Sequence, residues 1–135
     1  MSEKKILVVE DQAVMRHLCV DVLQRHGFDA IVATNGREGI QLYRERHEEI
    51  SLVLSDIVMP LMNGIEMVQN ILDMHSQAKV ILMSSFTVAH IITGTLKRVC
   101  TVIEKPFTSD QLVEAVTRCL QAAGDQYHSL LAGTE

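Results

Sequence analysis

Leu52-Val-Leu-Ser-Asp-Ile-Val-Met-Pro60 is the stretch on which the fold turns: an apolar run of strand length ends on Ser55-Asp56, and Met59-Pro60 and Asn63-Gly64 then shape a turn. A strand that is apolar at successive positions is one covered on both faces, as in a parallel sheet. Working outward, apolar runs at 6–9, 30–33, 80–83 and 101–103 join 52–54 to make five strand candidates, each followed by a stretch of helical period. Five alternating strand and helix units predict an α/β domain built on a buried parallel sheet. Helix starts are marked at Asn35 with Glu38, Asn63 with Glu66 and Thr108 with Gln111, each pair at the spacing of a capping box. Leu112, Ala115, Val116, Cys119, Leu120 and Ala123 give the last helix one apolar face, with Gly124 as its stop. The first helix, about 14–26, carries Val14, Leu18 and Val22 toward the sheet, with Gly27 after it. The fourth, near 88–97, is β-branched and holds Gly94, so it is expected to be short or irregular.

The rest of the composition bounds the function. With 135 residues, 12 Lys+Arg against 17 Asp+Glu and a net charge of −5, the chain suits one globular domain that buries roughly 70% of its unfolded surface. The acidic balance opposes a direct nucleic-acid partner, which needs a cationic surface. Cys19, Cys100 and Cys119 are widely spaced among apolar neighbours, a pattern of buried thiols in a reducing, cytoplasmic compartment. The apolar run before Glu10 is too short to serve as a signal segment or to span a membrane. The six histidines lack ligand spacing and are expected at the surface or at helix ends, and Met59, Met62 and Met67 are expected to pack.

Ligands of an open parallel sheet bind beyond the carboxyl ends of its strands. Those ends are Glu10-Asp11, Ser55-Asp56, Ser84-Ser85 and Glu104-Lys105-Pro106. Three carboxylates meeting on one rim repel unless a cation neutralises them, and a set of oxygens without His or thiolate suits Mg2+. Lys105 and the Ser84 hydroxyl add groups able to hold phosphoryl oxygens, and the central Asp56 is the expected nucleophile, left exposed at its strand end by the turn that follows. Each residue has a plain structural alternative: Asp11 as a helix cap, Glu10 as a solvated neighbour, Lys105 as a surface cation.

Ile6-Leu-Val-Val-Glu-Asp11, Leu54-Ser-Asp-Ile-Val-Met-Pro60, Asn63-Gly64, Ile81-Leu-Met-Ser84 and Lys105-Pro-Phe107, in that order, resemble the receiver domain of bacterial two-component response regulators, the family that includes the chemotaxis regulators. The resemblance covers about residues 4–123. It implies a flavodoxin-like, doubly wound, five-stranded parallel sheet in the order 2-1-3-4-5 with five helices, the receiver domain ending near 123 and residues 124–135 forming a tail or linker stub. It implies further that Asp56 accepts a phosphoryl group from a sensor histidine kinase or a histidine phosphotransfer protein. Glu10, Asp11, Asp56 and the main-chain carbonyl of Val58 would hold Mg2+, while Lys105 and Ser84 sense the phosphoryl group, with a cis bond before Pro106. The partner that reads the switch is a downstream protein or an attached output domain, and homodimerisation through the fourth and fifth helices stays open.

The chain departs from the family at Val102, where an aromatic is usual, and at Val99-Cys100 in place of Gly-Ala. Val58 and Phe86, two residues after Asp56 and Ser84, are apolar and are expected to hinder the water that hydrolyses a phosphoaspartate. Three classes compete. A phospho-accepting receiver, a self-phosphorylating and self-dephosphorylating switch without substrate turnover, is favoured by the whole acidic set. A degenerate receiver, binding a protein independently of phosphorylation, is favoured by Val102. An aspartate-nucleophile phosphatase would need a second acid where Val58 stands.

Overall fold

The computed structural model describes residues 5–59, 61–85 and 96–122. Five strands, β1 (Lys5–Val9), β2 (Asp29–Ala33), β3 (Ile50–Asp56), β4 (Val80–Ser84) and β5 (Thr101–Glu104), form one sheet in the order β2-β1-β3-β4-β5. Every neighbouring pair is parallel. Strand direction and order therefore match the sequence expectation, and β3 runs longer than its apolar core because Ser55 and Asp56 continue the ladder opposite Leu82 and Met83. Four α-helices are described: α1 (Ala13–Arg25), α2 (Gly36–Arg46), α3 (Gly64–Met74) and α4 (Ser109–Gln121). The expected fourth helix falls largely on 86–95 and the tail on 124–135, both outside the described residues; Leu96–Arg98 form a single 3-10 turn before β5.

Alternation along the strands sorts the core into two layers. Leu7, Val9, Val53 and Leu82 face Ile40, Tyr43, Met67, Val68 and Ile71 of α2 and α3. Ile6, Val8, Leu54, Ile81 and Met83 face Cys19, Leu23, Leu112, Val116 and Cys119 of α1 and α4. Each fully buried aliphatic side chain contributes about 1.5–3 kcal/mol relative to exposure, which is why β1 and β3, sealed on both sides, hold the sheet centre. Met59 and Met67 are buried and Met62 packs against the same layer, as expected of filler side chains.

Two sequence expectations fail in detail. Val14 is 84% and Leu18 46% exposed; Val22 is buried as expected, and the rest of the buried face of α1 is Cys19 and Leu23. Packing Cys19, Val22 and Leu23 into the sheet layer leaves positions 14 and 18 facing outward, and Arg16 reaches back to the carbonyls of Glu10 at 2.9 Å and Asp11 at 3.5 Å. At α2, Asn35 accepts from the Glu38 N–H at 2.9 Å, but the Glu38 carboxylate takes the N–H and hydroxyl of Thr34, so the box is not reciprocal. Reciprocal boxes do form at Asn63/Glu66 and Thr108/Gln111. The α4 helix ends at Gln121, before the expected glycine stop.

Candidate functional site: an acidic cleft at the carboxyl edge of the sheet

The order reverses between β1 and β3, so the loops leaving these two adjacent strands part and open a crevice at their carboxyl ends. Glu10 and Asp11 follow β1 directly and Asp56 closes β3, which places the three carboxylates on the two lips of that crevice. Their ligand oxygens lie within 4.8 Å of one another. Ligands of one octahedral Mg2+ lie about 2.1 Å from the ion and at most about 4.2 Å apart, so this all-oxygen set, free of His and thiolate, suits such an ion once the carboxylates draw slightly together, with water filling the open positions.

Local hydrogen bonds hold each group in place. The Glu10 N–H donates to the Ala33 carbonyl at 3.1 Å and the Gln12 N–H to Glu10 Oε2 at 3.1 Å. Beyond β3, the Ile57 N–H continues the ladder to the Met83 carbonyl at 3.0 Å, and the Val58 N–H donates to Asp56 Oδ1 at 3.3 Å. The start of α3 is drawn against this loop by the Gly64 N–H, 2.7 Å from the Ile57 carbonyl. A Cβ at position 64 would overlap the Asp56 carbonyl oxygen, so only glycine allows that approach. Leu61, 73% exposed in the same loop, adopts the left-handed region at φ 71°.

Lys105 closes the cleft from β5. Its N–H donates to the Ser84 carbonyl at 2.6 Å, its bond to Pro106 is cis, and its Nζ stands 2.7 Å from Asp56 Oδ2 and 3.4 Å from Glu10 Oε1. Burial acts to lower the lysine pKa, but the hydrogen bond and charge of Asp56, helped by Glu10, outweigh it and raise the pKa. Burial, reinforced by the Asp56 charge, pushes Glu10 up to about 6 against the Gln12 N–H and the Lys105 charge. Asp56 is less open than the turn suggested: only 11% of its side chain meets solvent, because Lys105 lies across it. Ser84 is fully buried at the end of β4 whereas Ser85 is exposed, which separates the two serines as the motif does.

Glu10, Asp11, Asp56, Val58, Ser84 and Lys105 thus come from four strand ends, those of β1, β3, β4 and β5, and the loops beyond them onto one rim. Phe86 lies outside the described residues. Sequence reasoning missed Arg16, whose position was itself a signal: a cation in the first turn of a helix opposes the helix dipole and needs a compensating partner. The histidines at 17, 26, 47 and 75 are exposed, the last three at the carboxyl caps of α1, α2 and α3, as expected. The bond between Tyr43 Oη and His75 Nδ1 at 2.8 Å, which ties α2 to α3, carried no sequence signal.

Fold and cleft together define a phosphoryl-type receiver architecture, and the chain belongs to the response regulator receiver domain family, whose model matches residues 6–117. Among its relatives, the chemotaxis protein CheY of Thermotoga maritima is 35% identical over 117 residues, covering 85% of this chain and 96% of the relative. The sporulation initiation phosphotransferase F of Bacillus subtilis is 30% identical, covering 89% and 96%. A solved CheX-CheY-BeF3-Mg2+ complex from Borrelia burgdorferi includes a chain 25% identical to this one, with a TM-score of 0.84 over 90% of this chain and 92% of that one. TrrA from Thermotoga maritima, solved with Mg2+-BeF, is 29% identical with a TM-score of 0.79, covering 86% and 98%. Among the described residues no helix is long and apolar enough to cross a membrane.

Proposed function

We propose that this chain is a phospho-accepting switch in which Asp56 receives a phosphoryl group from a phosphohistidine on a sensor histidine kinase or a histidine phosphotransfer protein. One observation carries the reading: Lys105 Nζ bridges Asp56 at 2.7 Å and Glu10 at 3.4 Å on the rim where three carboxylates converge. Glu10, Asp11, Asp56 and the main-chain carbonyl of Val58 would hold Mg2+, which neutralises charge on the phosphoryl oxygens. An Asp56 carboxylate oxygen attacks phosphorus as the P–N bond breaks, and the departing imidazole keeps the electron pair and takes up a proton from water. The Val58 N–H, 3.3 Å from Oδ1, fixes the carboxylate's orientation. Lys105 exchanges its contact with Asp56 for a phosphoryl oxygen, and the Ser84 hydroxyl donates to another. Drawing Ser84 and Lys105 inward shifts an existing equilibrium of the neighbouring loops and helices, which a downstream protein or an attached output domain reads. The receiver spans residues 1–123, residues 124–135 form a tail or linker, and the protein works in the cytoplasm without contacting nucleic acid directly.

Incubation with Mg2+ and acetyl phosphate tests this by intact mass. The expected result is a labile gain of one phosphoryl group that is absent with EDTA and in Asp56→Asn. No gain in the wild type, with no Mg2+ binding by calorimetry, would instead support the phosphorylation-independent binding module.

A further inference from the structure

At the edge of the sheet opposite the cleft, α2 and α3 end side by side, just before β3 and β4 begin. His47 is the carboxyl cap of α2 and His75 that of α3, so packing of the two helices brings together imidazoles that stand far apart in the chain. Their ring centroids lie 6.5 Å apart, and Tyr43, one turn before His47, lies 6.2 Å from the first ring and 6.4 Å from the second. These rings, with Arg44 and Met74, line one pocket of about 280 Å3. Tyr43 is buried, while both histidines and Met74 are exposed. The chemistry of the cleft uses none of these residues.

We propose that His47 and His75 form a second metal site, one that takes an imidazole-preferring divalent ion such as Zn2+ in place of the Mg2+ that suits the cleft. Each ring is held through Nδ1. His47 Nδ1 lies 3.4 Å from the Arg44 carbonyl, and His75 Nδ1 lies 2.8 Å from Tyr43 Oη. A carbonyl only accepts, so His47 Nδ1 carries the proton of that bond and Nε2 keeps its lone pair. An ion at His75 Nε2 selects the matching tautomer, in which Nδ1–H donates to the phenol oxygen. A histidine anchored through its second nitrogen in this way presents the first with its ring orientation fixed. The electrostatics point the same way: the carboxyl end of a helix carries partial negative charge, and α3 has no basic residue in its last turn to answer it. Arg44 is the fixed positive charge lining the pocket, and it is exposed, where water and salt screen it. Two imidazoles bound at about 2.0 Å to one tetrahedral ion have centroids about 5 Å apart, so small rotations of the two exposed side chains close the remaining gap. Met74 adds a soft thioether to the pocket, and water completes the coordination shell. The ion clamps α2 to α3 at the end where the Tyr43–His75 bond already joins them.

The test titrates Zn2+ into the full chain in saturating Mg2+, with calorimetry for affinity and proton–nitrogen correlation spectra of the imidazoles for location. One Zn2+ per chain is expected, moving the Nε2 signals of His47 and His75 and leaving those of His17 and His26 in place. His47→Ala and His75→Ala should each weaken this binding by at least about tenfold, Tyr43→Phe by several-fold because it removes only the anchor of His75, and His17→Ala not at all. His47→Ala keeps the Tyr43–His75 bond, so its loss of binding does not come from loosening α2 against α3. Zn2+ held equally by the His47 and His75 variants, signals that move at other histidines instead, or binding that appears only as the chain dimerises by light scattering would overturn the proposal.

Discussion

Replacing Glu10 with Gln should stabilise the metal-free protein, although the residue is fully buried and hydrogen-bonded. Glu10 is held at about 6 against an ordinary value of 4.5. At about 1.36 kcal/mol per pH unit, its ionisation costs the folded state about 2 kcal/mol relative to the unfolded chain. The sign follows from proton affinity: the folded state binds this proton more tightly, so stability is fullest below about pH 4.5, falls as pH rises through about 6, and is level above. Gln keeps the shape and an oxygen for the Gln12 N–H while removing the charge that faces Asp56. In EDTA at pH 7.5, Glu10→Gln should therefore gain about 1–2 kcal/mol, and at pH 4.5 less than about 0.5 kcal/mol. Saturating Mg2+ reverses the order, because binding at a hundredfold excess over Kd stabilises the wild type by about 2.7 kcal/mol and the variant has lost a ligand. Urea unfolding followed by far-ultraviolet circular dichroism measures all three conditions, which suits a chain without Trp. A variant less stable than wild type in EDTA at pH 7.5, or a gain independent of pH, would refute this reasoning.

Three further outcomes follow from the same cleft. Lys105→Met leaves the carboxylates uncompensated and should cost about 1–3 kcal/mol in EDTA at pH 7.5, a loss that shrinks below pH 6 as Glu10 protonates; denaturant midpoints check it. Gly64→Ala forces a methyl group onto the Asp56 carbonyl and should cost about 3 kcal/mol or more by the same assay, with weaker Mg2+ binding by calorimetry. Val58→Asn replaces an apolar side chain, 59% exposed beside Asp56, with a polar one. It should speed loss of the phosphoryl group about three- to tenfold, roughly 0.7–1.4 kcal/mol of barrier, read as decay of the intact-mass adduct.

The sheet and the rim were legible because both are written in consecutive residues. Each strand announces itself by an apolar run, and the acids, serine and lysine stand directly where those runs stop, so strand direction alone gathers them. The first helix was misread because Val14, Leu18 and Val22 make as regular a stripe as Cys19, Val22 and Leu23. What decides between them is which face meets the sheet, where Cys19 and Leu23 pack among residues of β1, β3 and β4 far along the chain, and periodicity holds no record of it. The shielding of Asp56 was hidden for the same reason: the turn after β3 is local, while the side chain that covers the carboxylate arrives from β5. The Asn35 box failed because Thr34, one residue earlier, competes for the Glu38 carboxylate.

The central claim is that Asp56 is the residue that becomes phosphorylated. Protein phosphorylated with acetyl phosphate and Mg2+ can be reduced with borohydride, which converts an aspartyl phosphate to homoserine, and then mapped by peptide mass spectrometry. Homoserine at position 56, and at no other aspartate, is the result this account predicts. Homoserine at Asp11 or elsewhere with position 56 unchanged would contradict it.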